Sequence, residues 1–196
     1  MKKIVKFSLV IIAILSTINS SASSIDFSLA VKNKQGKVVS FALREVSKIR
    51  LSVFDGENRV INEEVVNANG LISRTYNLEA LPDGDYILEA ESALKISRYC
   101  ISVSGKVATL CPDAVSEVYK PVFETKDGIT SMSIDNAGKS VVSISVVNVD
   151  GEVVYHSLAQ DKSIFKYFDF AFEIKEEYTF IVKYDGRTFY NTVAVL

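Results

Sequence analysis

Catalysis and ligand capture need nucleophiles, bases, metal ligands or aromatic platforms, and few positions in this chain offer them. The one histidine, His156, lies in Val153-Val154-Tyr155-His156-Ser157. A hydrolytic triad would use it as general base beside a nucleophile and an orienting acid. No Gly-x-Ser-x-Gly stretch accompanies it, and its place in the run is that of a solvent-facing strand residue. With no second histidine, two cysteines and one histidine make an incomplete zinc set at awkward spacing. The expectation is no catalytic residue and no metal site.

Acidic turns are the next candidates. Asp83 and Asp85 flank Gly84, and Asp55, Glu57 and Asn58 cluster in another turn. Calcium takes oxygen ligands from such loops. Asp and Asn also favour turns for their own backbone hydrogen bonds, and no EF-hand or repeat-type calcium pattern is complete. All nine glycines fall at expected strand boundaries, which leaves no glycine-rich phosphate loop and no cofactor. Glycosidase carboxylates pair in space rather than in sequence, but tryptophan is absent, which weakens a sugar-binding reading.

Cys100 and Cys111 bracket Gly105-Lys106, a pair suited to a two-residue II′ hairpin turn that sets the cysteines directly opposite each other. An oxidising compartment favours a disulfide between them. Counting out from the turn gives a hydrogen-bonded position, where side chains diverge more, which favours a looser loop or free thiols. The sequence leaves both states open. The pair is read as structural, because a redox pair favours Cys-x-x-Cys. Further on, Phe165, Tyr167, Phe168, Phe170 and Phe172 form a dense aromatic run. Alternation puts Phe168, Phe170 and Phe172 on one face and Phe165 with Tyr167 on the other. Either one face fills a core and the other is merely half-exposed, or the outer face is an exposed aromatic patch for a partner protein or for the other domain.

The elements that must carry these residues are strands. Val, Ile, Thr, Tyr and Phe recur in short alternating runs, and no long segment holds a 3.6-residue apolar period. In the first half the strands fall at 25–32, 37–44, 49–54, 60–66 and 72–78. Turns at Gln35-Gly36, Asp55-Gly56 and Asn69-Gly70 separate them, and a hairpin over 94–110 closes the half. Between them Leu81-Pro82-Asp83-Gly84-Asp85-Tyr86 reads as a turn feeding a strand, with Tyr86 placed to turn its hydroxyl back onto the corner. Tyr178 heads a second such strand. The second half places strands at 122–125, 129–135, 140–148, 152–157, 163–170, 178–184 and 188–195. Ile49–Val53 matches Val142–Val146, and Tyr86-Ile87-Leu88 matches Tyr178-Thr179-Phe180, an internal repeat with a period of about ninety residues. The fold class is all-β, two tandem immunoglobulin-like or fibronectin III-like sandwiches, at 23–111 and 122–196. Residues 112–121 carry two prolines and read as a linker.

Lys2, Lys3 and Lys6 precede an apolar stretch from Phe7 to Leu15, and Ser20-Ser21-Ala22 fits a cleavage site. Residues 1–22 are therefore expected to be an export signal, too short to span a membrane. Cleavage would remove three lysines and leave 19 basic against 24 acidic side chains, a net charge of −5. That balance, with no basic run, argues against nucleic acid and anionic membranes as partners.

The runs Ile49-Arg50-Leu51-Ser52-Val53-Phe54-Asp55, Arg74-Thr75-Tyr76-Asn77-Leu78 and Leu81 to Ala90, with Phe165 to Phe170 and Glu177 to Phe180, give the chain a resemblance. It resembles small exported proteins of Bacteroidota with tandem immunoglobulin-like domains, and is similar to the C-terminal sorting domains of type IX secretion cargo. It departs from the latter in lacking a Pro-Asn-Pro opening around Val118 to Val122 and a basic residue near the terminus. The resemblance implies a periplasmic, cell-surface or extracellular binding or structural module without enzymatic activity. Sorting of cargo by the second domain, or a two-domain chaperone donating an edge strand, are the alternatives.

Overall fold

The structure is a computed structural model that describes residues 27–170 and 176–195. The expected export signal and Phe172 lie outside the described residues. Among the described residues fourteen strands run in order: β1 (Ser28–Gln35), β2 (Val38–Phe54), β3 (Val60–Asn77), β4 (Gly84–Glu91), β5 (Lys95–Ser104), β6 (Val107–Leu110) and β7 (Ser116–Tyr119). Then come β8 (Val122–Lys126), β9 (Ile129–Asp135), β10 (Val142–Val147), β11 (Val153–Ala159), β12 (Ser163–Asp169), β13 (Glu177–Tyr184) and β14 (Arg187–Ala194). One compact unit ends at Val118 and the other begins at Tyr119. The chain is all-β, as the alternation requires.

The first unit is a continuous sheet folded over its own core. The first half of β2 pairs with β1 and with the end of β3, while its second half, Ile49 to Phe54, pairs with the start of β3; Arg50 to Phe54 also pair with β4. Sequence reading places a break near residue 46 and a reversal at Asn69-Gly70, but both strands run through. The turn residues mark a bend instead: the β2–β3 register slips between Leu43 and Val46 and again before Lys48, and Gly70 takes φ 103°. A bulge kinks the strand without ending it, and glycine accepts the positive φ at no Cβ cost. Gly70 is thus a glycine that does not sit at a strand boundary. Bending brings Val39, Phe41 and Leu43 into one buried cluster with Ile49, Leu51, Val53 and Leu88. β5 follows β4, and β6 and β7 both pair with β5. Residues 116–119, within the stretch expected to be a linker, are therefore a strand of this sheet.

The second unit repeats this pairing with separate strands in place of the continuous bends. A four-stranded sheet, β11-β10-β13-β14, and a three-stranded sheet, β12-β9-β8, enclose the core. β10 pairs with its hairpin neighbour β11 and also with β13, the fibronectin III-like arrangement, and Ile144, Val146, Phe180 and Val182 are fully buried. Phe180 is the hub: its ring lies 5.1 Å from Phe123, 4.9 Å from Phe168 and 6.2 Å from Phe170, joining both sheets.

Tyr86 is buried and its hydroxyl donates to the Pro82 carbonyl at 2.9 Å. That bond pins the turn to the strand it feeds. Tyr178 is equally buried, its ring 4.8 Å from Phe170, and the corner before it lies outside the described residues. Tyr86→Phe removes one hydrogen bond and keeps the ring, so a loss of about 1 kcal/mol is expected. Phe180→Ala empties a buried ring site, with an expected loss of about 3–5 kcal/mol. Urea unfolding at neutral pH checks both. Equal losses in the two variants would contradict a corner pinned by one bond and a core centred on one ring.

Candidate functional site

The acidic turns are occupied by the fold itself. Asp55 Oδ1 accepts from the Glu57 and Arg59 amides at 3.0 and 2.9 Å, and its Oδ2 accepts from Arg59 Nε at 2.8 Å. The Arg59 backbone bond holds its carboxyl below the usual range, against a partial opposing effect of desolvation. Asn58 Oδ1 accepts from Arg98 at 2.8 Å, and Asp83 accepts from the Gly105 amide at 2.8 Å while pairing with Lys37 at 3.5 Å. Among the described residues no group of three His, Cys, Asp or Glu side chains could hold a metal ion.

His156 is exposed on β11, and its Nδ1 is hydrogen-bonded to Ser145 Oγ on β10 at 3.1 Å. The pair lies flat on the outer face of the four-stranded sheet. Leu158, also exposed, neighbours it on β11, and Tyr190, at 69% exposure, stands at the far side of the same row through Ile181. The imidazole's partner is a serine hydroxyl rather than an orienting acid, so the pair has the form of a cross-strand hydrogen bond.

Two polar clusters tie distant residues of the first unit together. Glu64 accepts from Arg74 Nε at 3.0 and 2.9 Å and from the Tyr76 hydroxyl at 2.8 Å. Burial first, and then that bond to Glu64, push the Tyr76 phenol above its ordinary value. In the second unit, burial and then the charges of Asp185 and Asp135 do the same for Tyr184, whose hydroxyl donates to the Tyr119 carbonyl. In the first unit, Lys95 Nζ lies 2.8 Å from Glu117 Oε1 and 4.8 Å from the centre of the Phe27 ring. Ser97 Oγ donates to the same Glu117 oxygen at 2.8 Å. This cluster anchors β7. No local motif announces it, because Lys95 and Glu117 are 22 residues apart.

The aromatic run resolves into two faces. Phe168 and Phe170 are buried, while Phe165 is 66% and Tyr167 is 36% exposed. Across the outer face of the three-stranded sheet the rows are Phe165–Ser133–Val122 and Tyr167–Ser131–Glu124. Two aromatic side chains thus stand beside a floor of serines on β9. Val122 and Ile129, also exposed, border that floor. The backbone adds what the side-chain pattern alone does not give. The Asn136 amide donates to the Lys162 carbonyl at 2.8 Å, and the Phe170 amide donates to the Gly128 carbonyl at 3.0 Å. Between these two hydrogen-bonded pairs the antiparallel ladder alternates. Ile164, Lys166 and Phe168 therefore exchange bonds with β9, and Phe165 and Tyr167 aim their N–H and C=O away from it, to the open side of β12. Among the described residues β12 pairs with β9 alone. Exposed rings and outward backbone groups coincide at the same two residues.

No family model matches the chain, and no curated protein is significantly similar to it. Among solved structures it aligns with a biofilm-associated protein's BSP domain at 15% identity and a TM-score of 0.27, covering 84% of this chain and 29% of that one. A Lactobacillus rhamnosus β-glucuronidase aligns at 12% identity and a TM-score of 0.28, covering 83% of this chain and 36% of that one. The chain spans about a third of the length of each, and neither likeness carries a functional argument.

The Lys95–Glu117 cluster makes a pH prediction. Burial alone would raise the Glu117 pKa, but the hydrogen bonds from Lys95 and Ser97 outweigh it and leave the value lowered. A lowered carboxylate contributes stability that is present above its unfolded value and is lost as pH falls through the folded one. Glu117→Gln should therefore be less stable than the native chain at pH 7, and the gap should close towards about pH 3. Urea midpoints at the two pH values test this; a gap that persists unchanged in acid would contradict it.

Proposed function

We propose that this is a non-catalytic exported module of the cell envelope or cell surface that binds a protein partner along the open edge of β12. The observation that carries the reading is the coincidence at Phe165 and Tyr167 of exposed aromatic rings with outward-pointing backbone groups. An extended segment laid antiparallel to β12 would take main-chain hydrogen bonds from these two residues. Its side chains on the outer face would pack beside the two rings. On the other side of the rings the small side chains of Ser131 and Ser133 leave room, and the Ser131 hydroxyl donates to the Glu124 carbonyl at 3.3 Å. Aromatic anchors of this size supply much of the energy of small interfaces.

An unprotected edge would also recruit copies of itself. Lys166 opposes that. It sits between the two aromatics on the other face of β12, its Nζ 5.9 Å from the centre of the Tyr155 ring. Two such edges meeting about Lys166 in antiparallel register would set like charges opposite each other, whereas a partner with an acidic or small residue there would not.

The experiment is in-cell photocrosslinking with a photoreactive phenylalanine at position 165, with the same probe at position 131 as an on-face reference. A discrete crosslinked partner at 165 that disappears in Tyr167→Ser is expected. Crosslinks of equal yield from an unrelated exposed site such as position 190, unaffected by Tyr167→Ser, would contradict the proposal.

A further inference from the structure

Cys100 and Cys111 are free thiols that stand opposite each other on neighbouring strands. The β5–β6 turn is Gly105-Lys106, with Gly105 at φ 57°, and Ser104 pairs with Val107 across it. Further from that turn Ile101 faces Leu110, and the Cys111 amide donates to the Cys100 carbonyl at 2.9 Å. A hydrogen-bonded antiparallel pair holds its Cα atoms about 5.5 Å apart, inside the range a disulfide spans. Neighbouring residues Ile101, Val103, Ala108 and Leu110 are buried in the core, so alternation puts both sulfurs on the outer face, beside Ile87 and in line with Phe54. Both cysteines are half-buried. Inert cysteines are usually buried in apolar surroundings; these two stand opposite each other across the ladder and are partly open to water.

We propose that Cys100 and Cys111 are a reversible dithiol–disulfide site, oxidised by exchange with a small-molecule or protein disulfide. In the first step one of the two cysteines, as its thiolate, forms a bond to one sulfur of the oxidant and displaces the other as a thiolate. In the second step the other cysteine loses its proton to solvent and attacks the sulfur of the first, and the second oxidant thiolate leaves. The net change is loss of two protons and two electrons from the chain, taken up as two reduced thiols of the oxidant. Side chains diverge at a hydrogen-bonded position, so the bond forms with some strain and remains reducible, unlike the deeply stable disulfides of secreted scaffolds. The bond would tie β6 to β5 at the end away from the turn. On its other flank β6 is already held by the Ala108 amide, which donates to the Gly36 carbonyl at 2.9 Å. Oxidation therefore fastens the strip that closes this side of the first sandwich.

The test is to equilibrate the full chain in mixtures of reduced and oxidised glutathione, quench in acid, alkylate, and read intact mass and cysteine peptides. The expected result is a folded monomer that passes from two alkylated thiols to none through a Cys100–Cys111 crosslinked peptide, and returns to two when excess reduced glutathione is restored. Cys100→Ser should accumulate a glutathione adduct on Cys111, and Cys111→Ser one on Cys100, because in each the second thiol is gone. Two thiols that stay alkylatable at every glutathione ratio would overturn the proposal, as would disulfides formed only between chains.

Discussion

The second unit depends on Phe180. Its ring packs on Phe123 at one edge of the three-stranded sheet and on Phe168 and Phe170 at the other, so a single side chain from the four-stranded sheet sets the spacing between the two. A sandwich of this size has a thin core, and large interdigitated rings fill it with few residues. The same demand fixes the surface. Once Phe168 and Phe170 are committed inward, the two-residue period of a strand leaves Phe165 and Tyr167 no choice but the outer face. The alternation of the ladder then gives those same residues the outward backbone groups. Core packing and the candidate contact edge are two consequences of one register.

A one-residue slip of β12 against β9 would invert both. It would turn Phe165 and Tyr167 inward, expose Phe168, strip Phe180 of that partner, and hand the open-edge amides to Lys166 and its even-numbered neighbours. The Asn136 turn guards against this: Asn136 Nδ2 donates to the Ser140 and Asp161 carbonyls at 2.8 and 3.0 Å, and its Oδ1 accepts from the Ser140 amide at 3.0 Å. A buried asparagine satisfied by three bonds is intolerant of displacement. Stability and the register of the proposed contact edge are therefore coupled through one polar residue at the head of the β9–β12 pair.

Much of this was legible from the chain. Alternation located nearly every strand, and the Pro82-Asp83-Gly84 corner with Tyr86 was recognisable because its chemistry is local. The two-residue turn at Gly105-Lys106 was recognisable for the same reason, and with it the opposition of Cys100 and Cys111. What escaped was non-local. Asn69-Gly70 has the composition of a reversal, and only the pairing of both halves of β2 shows that the chain bends there and continues. The linker reading of 112–121 followed from its prolines, while the pairing of β7 with β5 is anchored by Lys95 and Ser97, far away in sequence. Which backbone groups of β12 face outward likewise follows from hydrogen bonds at Asn136 and Phe170 that no sequence pattern encodes.

The most direct measurement is residue-resolved amide hydrogen exchange across β12, in the isolated chain and again with solubilised cell envelope from its own source. In isolation the Phe165 and Tyr167 amides should exchange rapidly, and those of Ile164, Lys166 and Phe168 slowly. With envelope present, Phe165 and Tyr167 should gain protection while the others change little. Phe165 and Tyr167 amides already protected in the isolated chain, or still fast when envelope is present, would contradict the claim that this edge is where the molecule meets its partner.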